Sequence, residues 1–183
     1  MEDDRIVINR APVLTLWAAV VAERLGWDPD AALSLAKAVA GLNAQAKGRT
    51  LGVYGPPKGR SGETPKVTGL GEDAWVQLCG RPVPVKSTQS GTRAVVKDKP
   101  IEPAPVRKYL EGKFGESLHR VRVAMDDLAA AAEEGGLEES AYPLYEEFRP
   151  AIERGISGWG QAGILDLALL RGLAARERGR HAG

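Results

Sequence analysis

The chain has few of the residues on which metal sites, disulfide frameworks and most catalytic centres depend. It contains one cysteine, two histidines and two methionines, and aromatic side chains make up only 5% of it. The single cysteine, Cys79, excludes an internal disulfide framework. There is no HExxH motif and no cysteine cluster, so the familiar zinc patterns are missing. No apolar run approaches the roughly 20 residues that a membrane-spanning helix needs.

The composition that is present is typical of a globular protein. Apolar residues make up 43% of the 183 residues and charged residues 27%, unlike disordered or membrane-spanning sequences. The length fits one domain of usual size. The sequence begins Met1-Glu2-Asp3-Asp4, and this acidic start differs from the basic start of a signal peptide. Together with the lone cysteine, these features predict a cytoplasmic protein.

The net charge of +1 conceals an uneven distribution along the chain. Residues 46–108 carry twelve basic and five acidic side chains, whereas the segments before and after them have net charges of −2 and −4. A local excess of positive charge is the electrostatic signature of a surface that binds a polyanion. Solubility alone also explains lysine and arginine on a proline-rich exposed segment, so both interpretations stay open.

Residues 12–48 predict two adjacent helices. Apolar side chains recur three or four residues apart until Gly26 ends the pattern. Asp28 then supplies an N-cap residue and Pro29 a first helical residue. The second helix is rich in alanine and is expected to end at Gly48, which can adopt a left-handed C-cap conformation.

The middle third of the chain predicts loops and a small antiparallel β-meander of two or three strands. From Ala74 the apolar residues alternate with polar ones, as in a half-buried strand, and Cys79-Gly80 marks a tight turn. Pro82 and Pro84 remove N–H groups from the ladder, which predicts an edge position for them. Further strands are expected at Arg49–Tyr54 and Thr92–Lys97.

The last third predicts helices separated by glycine and proline. They are expected at Val106–Lys113, Ser117–Glu134, Leu137–Phe148 and Leu167–Ala175. The fold class is therefore α+β, a mainly helical single domain of five or six helices with the meander in its middle third. Its parts are a helix pair at 12–48, a basic loop and meander at 49–105, a helical part at 106–175 and a frayed tail at 176–183.

A helix pair followed by a β-ribbon in a basic segment is typical of winged-helix proteins, a form of the helix-turn-helix class. There one helix enters the major groove of DNA and the ribbon tip contacts phosphate. This hypothesis assigns contacts with DNA or RNA to Lys47, Arg49, Lys58, Arg60, Lys86, Arg93, Lys97 and Lys99. The alanine content of the second helix favours burial instead, and a solvated helix face explains its lysines without a ligand.

Two other classes of function stay open. A small homo-oligomeric interaction protein would use the alanine-rich helices and Trp159, which lies between two glycines. An enzyme would use His119, three residues after Glu116, or the carboxylates of the later helices. A solvated acidic face explains those residues more simply, and Cys79 is expected to be a small buried residue. The sequence predicts a non-enzymatic binding protein without metal, cofactor or membrane contact.

Three segments carry a resemblance to other sequences: Ala11–Gly26 (APVLTLWAAVVAERLG), Tyr109–Gly115 and Gly158–Gly160. Over most of its length the chain resembles a group of bacterial proteins for which no activity is established. The resemblance implies a bacterial cytosolic origin. It implies no function and no site residues.

Overall fold

The computed structural model describes residues 4–50, 74–96, 99–150 and 162–182, and for 44–50, 162, 181 and 182 it describes the backbone alone. These residues form six α-helices and six strands. In chain order they are β1 (Arg5–Asn9), α1 (Arg10–Arg24), α2 (Pro29–Thr50), β2 (Ala74–Leu78), β3 (Arg81–Thr88), β4 (Gly91–Val96), β5 (Lys99–Pro100), α3 (Pro103–Phe114), α4 (Leu118–Ala132), α5 (Leu137–Phe148), β6 (Ala162–Asp166) and α6 (Leu167–Ala182). The predicted fold class, α+β and mainly helical, is confirmed.

Helix α1 lies at the centre of the helical part. Every residue from Pro12 to Ala22 is buried, and α2, α3, α4 and α5 all pack against it. A helix that is apolar on all sides must be surrounded by other elements. The indole N–H of Trp17 donates to the Ala141 carbonyl of α5 at 2.8 Å, and its ring meets Phe148 edge to face at a centroid distance of 5.1 Å. Trp17, the largest side chain of α1, therefore has a hydrogen-bond acceptor for its N–H group and an aromatic neighbour for its ring.

The connection between α1 and α2 follows the local sequence signals. Gly26 has a φ of +112°, which favours glycine. The Asp28 carboxylate accepts the Ala31 N–H at 3.0 Å, as an N-cap does. α2 continues to Thr50, so the strand predicted at Arg49–Tyr54 is wrong for its first two residues, and 51–54 lie outside the described residues.

An antiparallel meander is present in the middle third, but it has four strands, in the order β2-β3-β4-β5, where two or three were predicted. Cys79 and Gly80 both have positive φ, +48° and +74°, which is the two-residue hairpin turn that suits twisted strands. Pro82 and Pro84 were predicted on an edge strand, but β3 lies between β2 and β4 in the sheet. β4 pairs with Val85–Thr88 alone, and both prolines lie in the half of β3 that pairs only with β2.

A second sheet was not predicted. β1 pairs with β6 antiparallel, joining the two ends of the described chain. β6 includes Gly163, and Trp159, which lies between two glycines in the sequence, is outside the described residues. The frayed tail at 176–183 is also wrong, since α6 extends to Ala182 and Arg176 pairs with Glu147 at 2.7 Å. The pair between Arg176 and Glu147 of α5 joins this end of α6 to the rest of the fold.

Ser34 joins α2 to the sheet and to the segment before α3. Its side chain is fully buried; the hydroxyl donates to the Ile101 carbonyl at 2.7 Å and accepts the Ala94 amide at 2.8 Å. Replacing it therefore leaves two backbone groups without a partner in the core. This hydroxyl adds two hydrogen bonds to the apolar packing of the sheet on α2.

We predict that Ser34→Ala lowers the free energy of unfolding by about 2 kcal/mol, because buried polar groups that lose their partner keep their desolvation cost. Ser140→Ala is the matched control, since the buried Ser140 hydroxyl has no hydrogen-bond partner among the described residues. Urea unfolding followed by tryptophan fluorescence measures both. Equal losses in the two variants would contradict the role assigned to Ser34.

Candidate anion-binding surface

The structure describes the side chains of three of the eight cations that the sequence assigns to a nucleic-acid site. They are Lys86 on β3, Arg93 on β4 and Lys99 on β5. The other five lie outside the described side chains: Lys47, Arg49, Lys58, Arg60 and Lys97. Their assignment stays a prediction.

The strand register does not bring the three described cations to one face of the sheet. Lys86 lies directly opposite Arg93, so these two share a face. Lys99 lies opposite Val96, two residues after Ala94, whose side chain is buried in the core. Because side chains alternate along a strand, Lys99 lies on the α2 side and the other pair on the opposite side.

Arg93 is occupied within its own hairpin. Its side chain is 3% exposed, and its guanidinium donates to the Thr92 and Ser90 carbonyls at 2.9 and 3.2 Å. These bonds close the tip of the β3–β4 hairpin, which a winged-helix protein would turn towards phosphate. Arg93 thus stabilises the turn, and Lys86 is the exposed cation on this face.

The exposed face of α2 is narrow where its side chains are described. Ala31 to Ala36 are buried, and Lys37 and Gly41 are the exposed residues of the segment up to Asn43. Asn43 is itself buried and accepts hydrogen bonds from other elements. A helix that reads a DNA groove presents a continuous polar face, and this part of α2 has none.

α2 and α3 bring together a group of residues that the sequence analysis missed, here called the lysine–tyrosine cluster: Lys37, Tyr109 and Lys113. The Lys37 Nζ lies 5.2 Å and the Lys113 Nζ 5.9 Å from the centroid of the Tyr109 ring. Both lysines are exposed, and the half-buried position of Tyr109 raises its pKa through desolvation. Among the described residues no carboxylate lies within 4.0 Å of either ammonium group.

Two ammonium groups beside one aromatic ring are a chemically specific arrangement. The ring attracts both cations through its quadrupole, while their charge remains available to an external anion. Positive charge next to an aromatic face is also what proteins use to hold single-stranded nucleic acid, since the cations contact phosphate and the ring contacts a base.

The carboxylates of α4 pair with arginines that lie outside the middle third of the chain. Arg24 donates twice to Asp126, and Arg178 contacts Asp127 at 2.9 Å. Of the cations between residues 46 and 108 that the structure describes, Arg107 alone pairs with a carboxylate, that of Asp30. The positive excess of the middle third is therefore not cancelled by the acidic helices in the described part of the molecule.

His119, the candidate for an enzymatic role, is exposed on α4 beside a surface groove of about 470 Å³. The charged neighbours in this groove are already paired: Arg24 with Asp126, and Arg122 with Glu23. A general base needs a free group to orient it. Within the ranges that the structure describes, no cluster of three histidine, cysteine or acidic side chains is placed to hold a metal ion.

Cys79 is buried, as expected for a small apolar residue. Burial raises the pKa of its thiol to about 12, so the thiolate that a nucleophile needs is not formed at neutral pH.

Comparisons with protein-family models, with curated proteins and with solved structures give no match. Among the helices that the structure describes, none is both long and apolar enough to cross a membrane.

We predict that the stability of the protein falls with pH in a way that Cys79 controls. The unfolded chain ionises this thiol near pH 9 and the folded chain near pH 12. The stability contributed by the buried neutral thiol is thus complete below pH 9 and is lost as the pH rises towards 12.

The measurement compares urea unfolding of the wild type and Cys79→Ala at pH 8 and pH 10.5. The wild type should lose more unfolding free energy over this interval, because alanine has no proton to release. Any constant cost of alanine at the positive φ cancels in this comparison. Parallel losses in both proteins would show that the thiol titrates as it does in the unfolded chain.

Proposed function

We propose that this protein is a non-enzymatic nucleic-acid-binding protein that contacts phosphates through the side of the molecule formed by α2, α3 and β5. The observation that carries the proposal is the lysine–tyrosine cluster, in which two ammonium groups without a carboxylate partner in the described structure flank one tyrosine ring. Lys99 lies opposite Val96, on the face of the sheet to which Ala94 belongs, and we propose that it adds to this positive surface.

The charge distribution supports a polyanion as the ligand. Both aspartates of α4 pair with arginines, Asp126 with Arg24 and Asp127 with Arg178, and on α5 Glu147 pairs with Arg176. The lysines of the proposed surface have no such partners among the described residues, so their field extends into solvent. An uncompensated positive surface attracts phosphate chains and raises their rate of association.

The proposed mode of binding differs from the winged-helix hypothesis. The described part of α2 has little exposed surface for reading base edges, and Arg93 is used within the ribbon tip. Phosphate contacts position a protein without selecting a sequence. We therefore propose binding of single strands with little base preference, in which Tyr109 contacts a base.

A second candidate, self-association, is favoured by one observation on the β1–β6 sheet. Val7 and Ile164 lie directly opposite each other and are 74% and 47% exposed. The alanine-rich helices, which the sequence analysis considered as a subunit interface, are buried inside the chain where their side chains are described. An interface between copies would thus use the outer face of this small sheet.

We predict that a fluorescent single-stranded oligonucleotide binds the wild type with a steep salt dependence between 50 and 200 mM salt. In Lys37→Ala/Lys113→Ala the slope of log affinity against log salt should become shallower by about 1.4, because each lost phosphate contact contributes ~0.7. Fluorescence anisotropy measures this slope.

Arg171→Ala/Arg178→Ala is the matched control. It also removes two positive charges, but these belong to arginines that already pair with Asp4 and Asp127. The control should keep the slope of the wild type. Equal slopes in all three proteins, or binding that does not respond to salt, would contradict the proposal.

A further inference from the structure

A small cavity of about 180 Å³ lies between the first four helices. Each helix contributes one leucine to its wall: Leu16 from α1, Leu33 from α2, Leu110 from α3 and Leu118 from α4. Three of these side chains are at most 7% exposed, and Leu118 is half-buried. An apolar cavity of roughly 150 Å³ is large enough to bind benzene. The volume of this cavity is therefore sufficient for an apolar group of similar size.

The rim of the cavity carries both signs of charge. Arg107 and Arg122 line it together with Glu23. Arg122 donates to Glu23, and Arg107 donates to Asp30 at 2.9 Å. The lining thus has two guanidinium groups and one carboxylate, and the carboxylate of Asp30, which is not part of the lining, pairs with Arg107.

The two rim arginines, like Arg178, are less fully engaged than Arg24 and Arg171. Among the described residues each makes one hydrogen bond to a carboxylate, whereas Arg24 and Arg171 each make two to a single carboxylate. A guanidinium group has five N–H donors and recognises carboxylates in a planar, two-bond geometry. Arg107 and Arg122 therefore keep donors for a further carboxylate.

We propose that this cavity binds a free aliphatic α-amino acid of the size of leucine. The apolar side chain occupies the four-leucine wall. Arg107 and Arg122 receive the carboxylate with N–H groups that their pairs with Asp30 and Glu23 do not use, and Glu23 receives the ammonium group with the oxygen that does not bind Arg122. Charges of both signs at the rim favour a zwitterion, because its carboxylate and its ammonium group each meet a group of opposite charge that offsets the loss of hydration. The site is independent of the proposed nucleic-acid contacts and is tested without nucleic acid.

The experiment is isothermal titration calorimetry of the full chain with L-leucine, 4-methylpentanoate and 3-methylbutylamine. The second compound lacks the ammonium group and the third lacks the carboxylate. We expect saturable one-to-one binding of leucine, and binding at least tenfold weaker for the other two. Absence of saturable leucine binding would overturn the proposal, and equal binding of 4-methylpentanoate would overturn the amino-acid assignment.

Variants then locate the site. Arg107→Gln removes an exposed rim donor and should weaken leucine binding at least tenfold, while Arg171→Gln, which changes an exposed paired arginine on α6, should leave it unchanged. Leu118→Trp fills the cavity from its half-buried wall and should abolish binding, with folding checked by circular dichroism. Leucine binding that is unchanged in Arg107→Gln would place the ligand elsewhere and overturn the proposal, whether or not the tryptophan variant folds.

Discussion

The burial of α1 is the constraint on which the rest of the structure depends. Eleven consecutive residues, Pro12 to Ala22, have no exposed face, so the chain must supply neighbours on every side of this helix. Alanines at positions 18, 19 and 22 let those neighbours approach closely. The other helices therefore turn their apolar faces inward towards α1, and their charged residues are left on the outer surface.

This arrangement separates the charges of the molecule into two groups. α4, α5 and α6 meet around their acidic and basic residues, and arginine–carboxylate pairs such as Arg176 with Glu147 form between them. The outer surface of α2 and α3 has lysines instead, with a tyrosine between them. Exposed pairs contribute little to stability. Their larger effect is to cancel the field on one side of the protein and leave it uncancelled on the other.

The sequence predicts those features that depend on neighbouring residues. Gly26 and Asp28 set the boundary between α1 and α2 through a positive φ and a side-chain cap, both of which are local effects. The sheet formed by β1 and β6 depends on pairing between the two ends of the described chain, for which no local pattern exists. The lysine–tyrosine cluster was missed for the same reason, since Lys37 and Tyr109 meet only through the packing of α2 on α3. Lys86 and Lys99 lie on opposite faces of the sheet because of the strand register. The alternation of side chains along each strand does not predict this unless the pairing between the strands is known.

Burial and ion pairing engage several reactive side chains in the part of the chain that the structure describes. Cys79 is buried as a neutral thiol, and burial also raises the pKa of Tyr145. The charged groups around His119 are engaged with one another. What α2 and α3 present instead is a cationic–aromatic surface outside and a leucine-lined cavity between them. Lys37 follows Leu33 by one helical turn and Lys113 follows Leu110 by three residues, so the same two helices carry both features. Any ligand that changes the spacing of α2 and α3 must also change the spacing of the two ammonium groups.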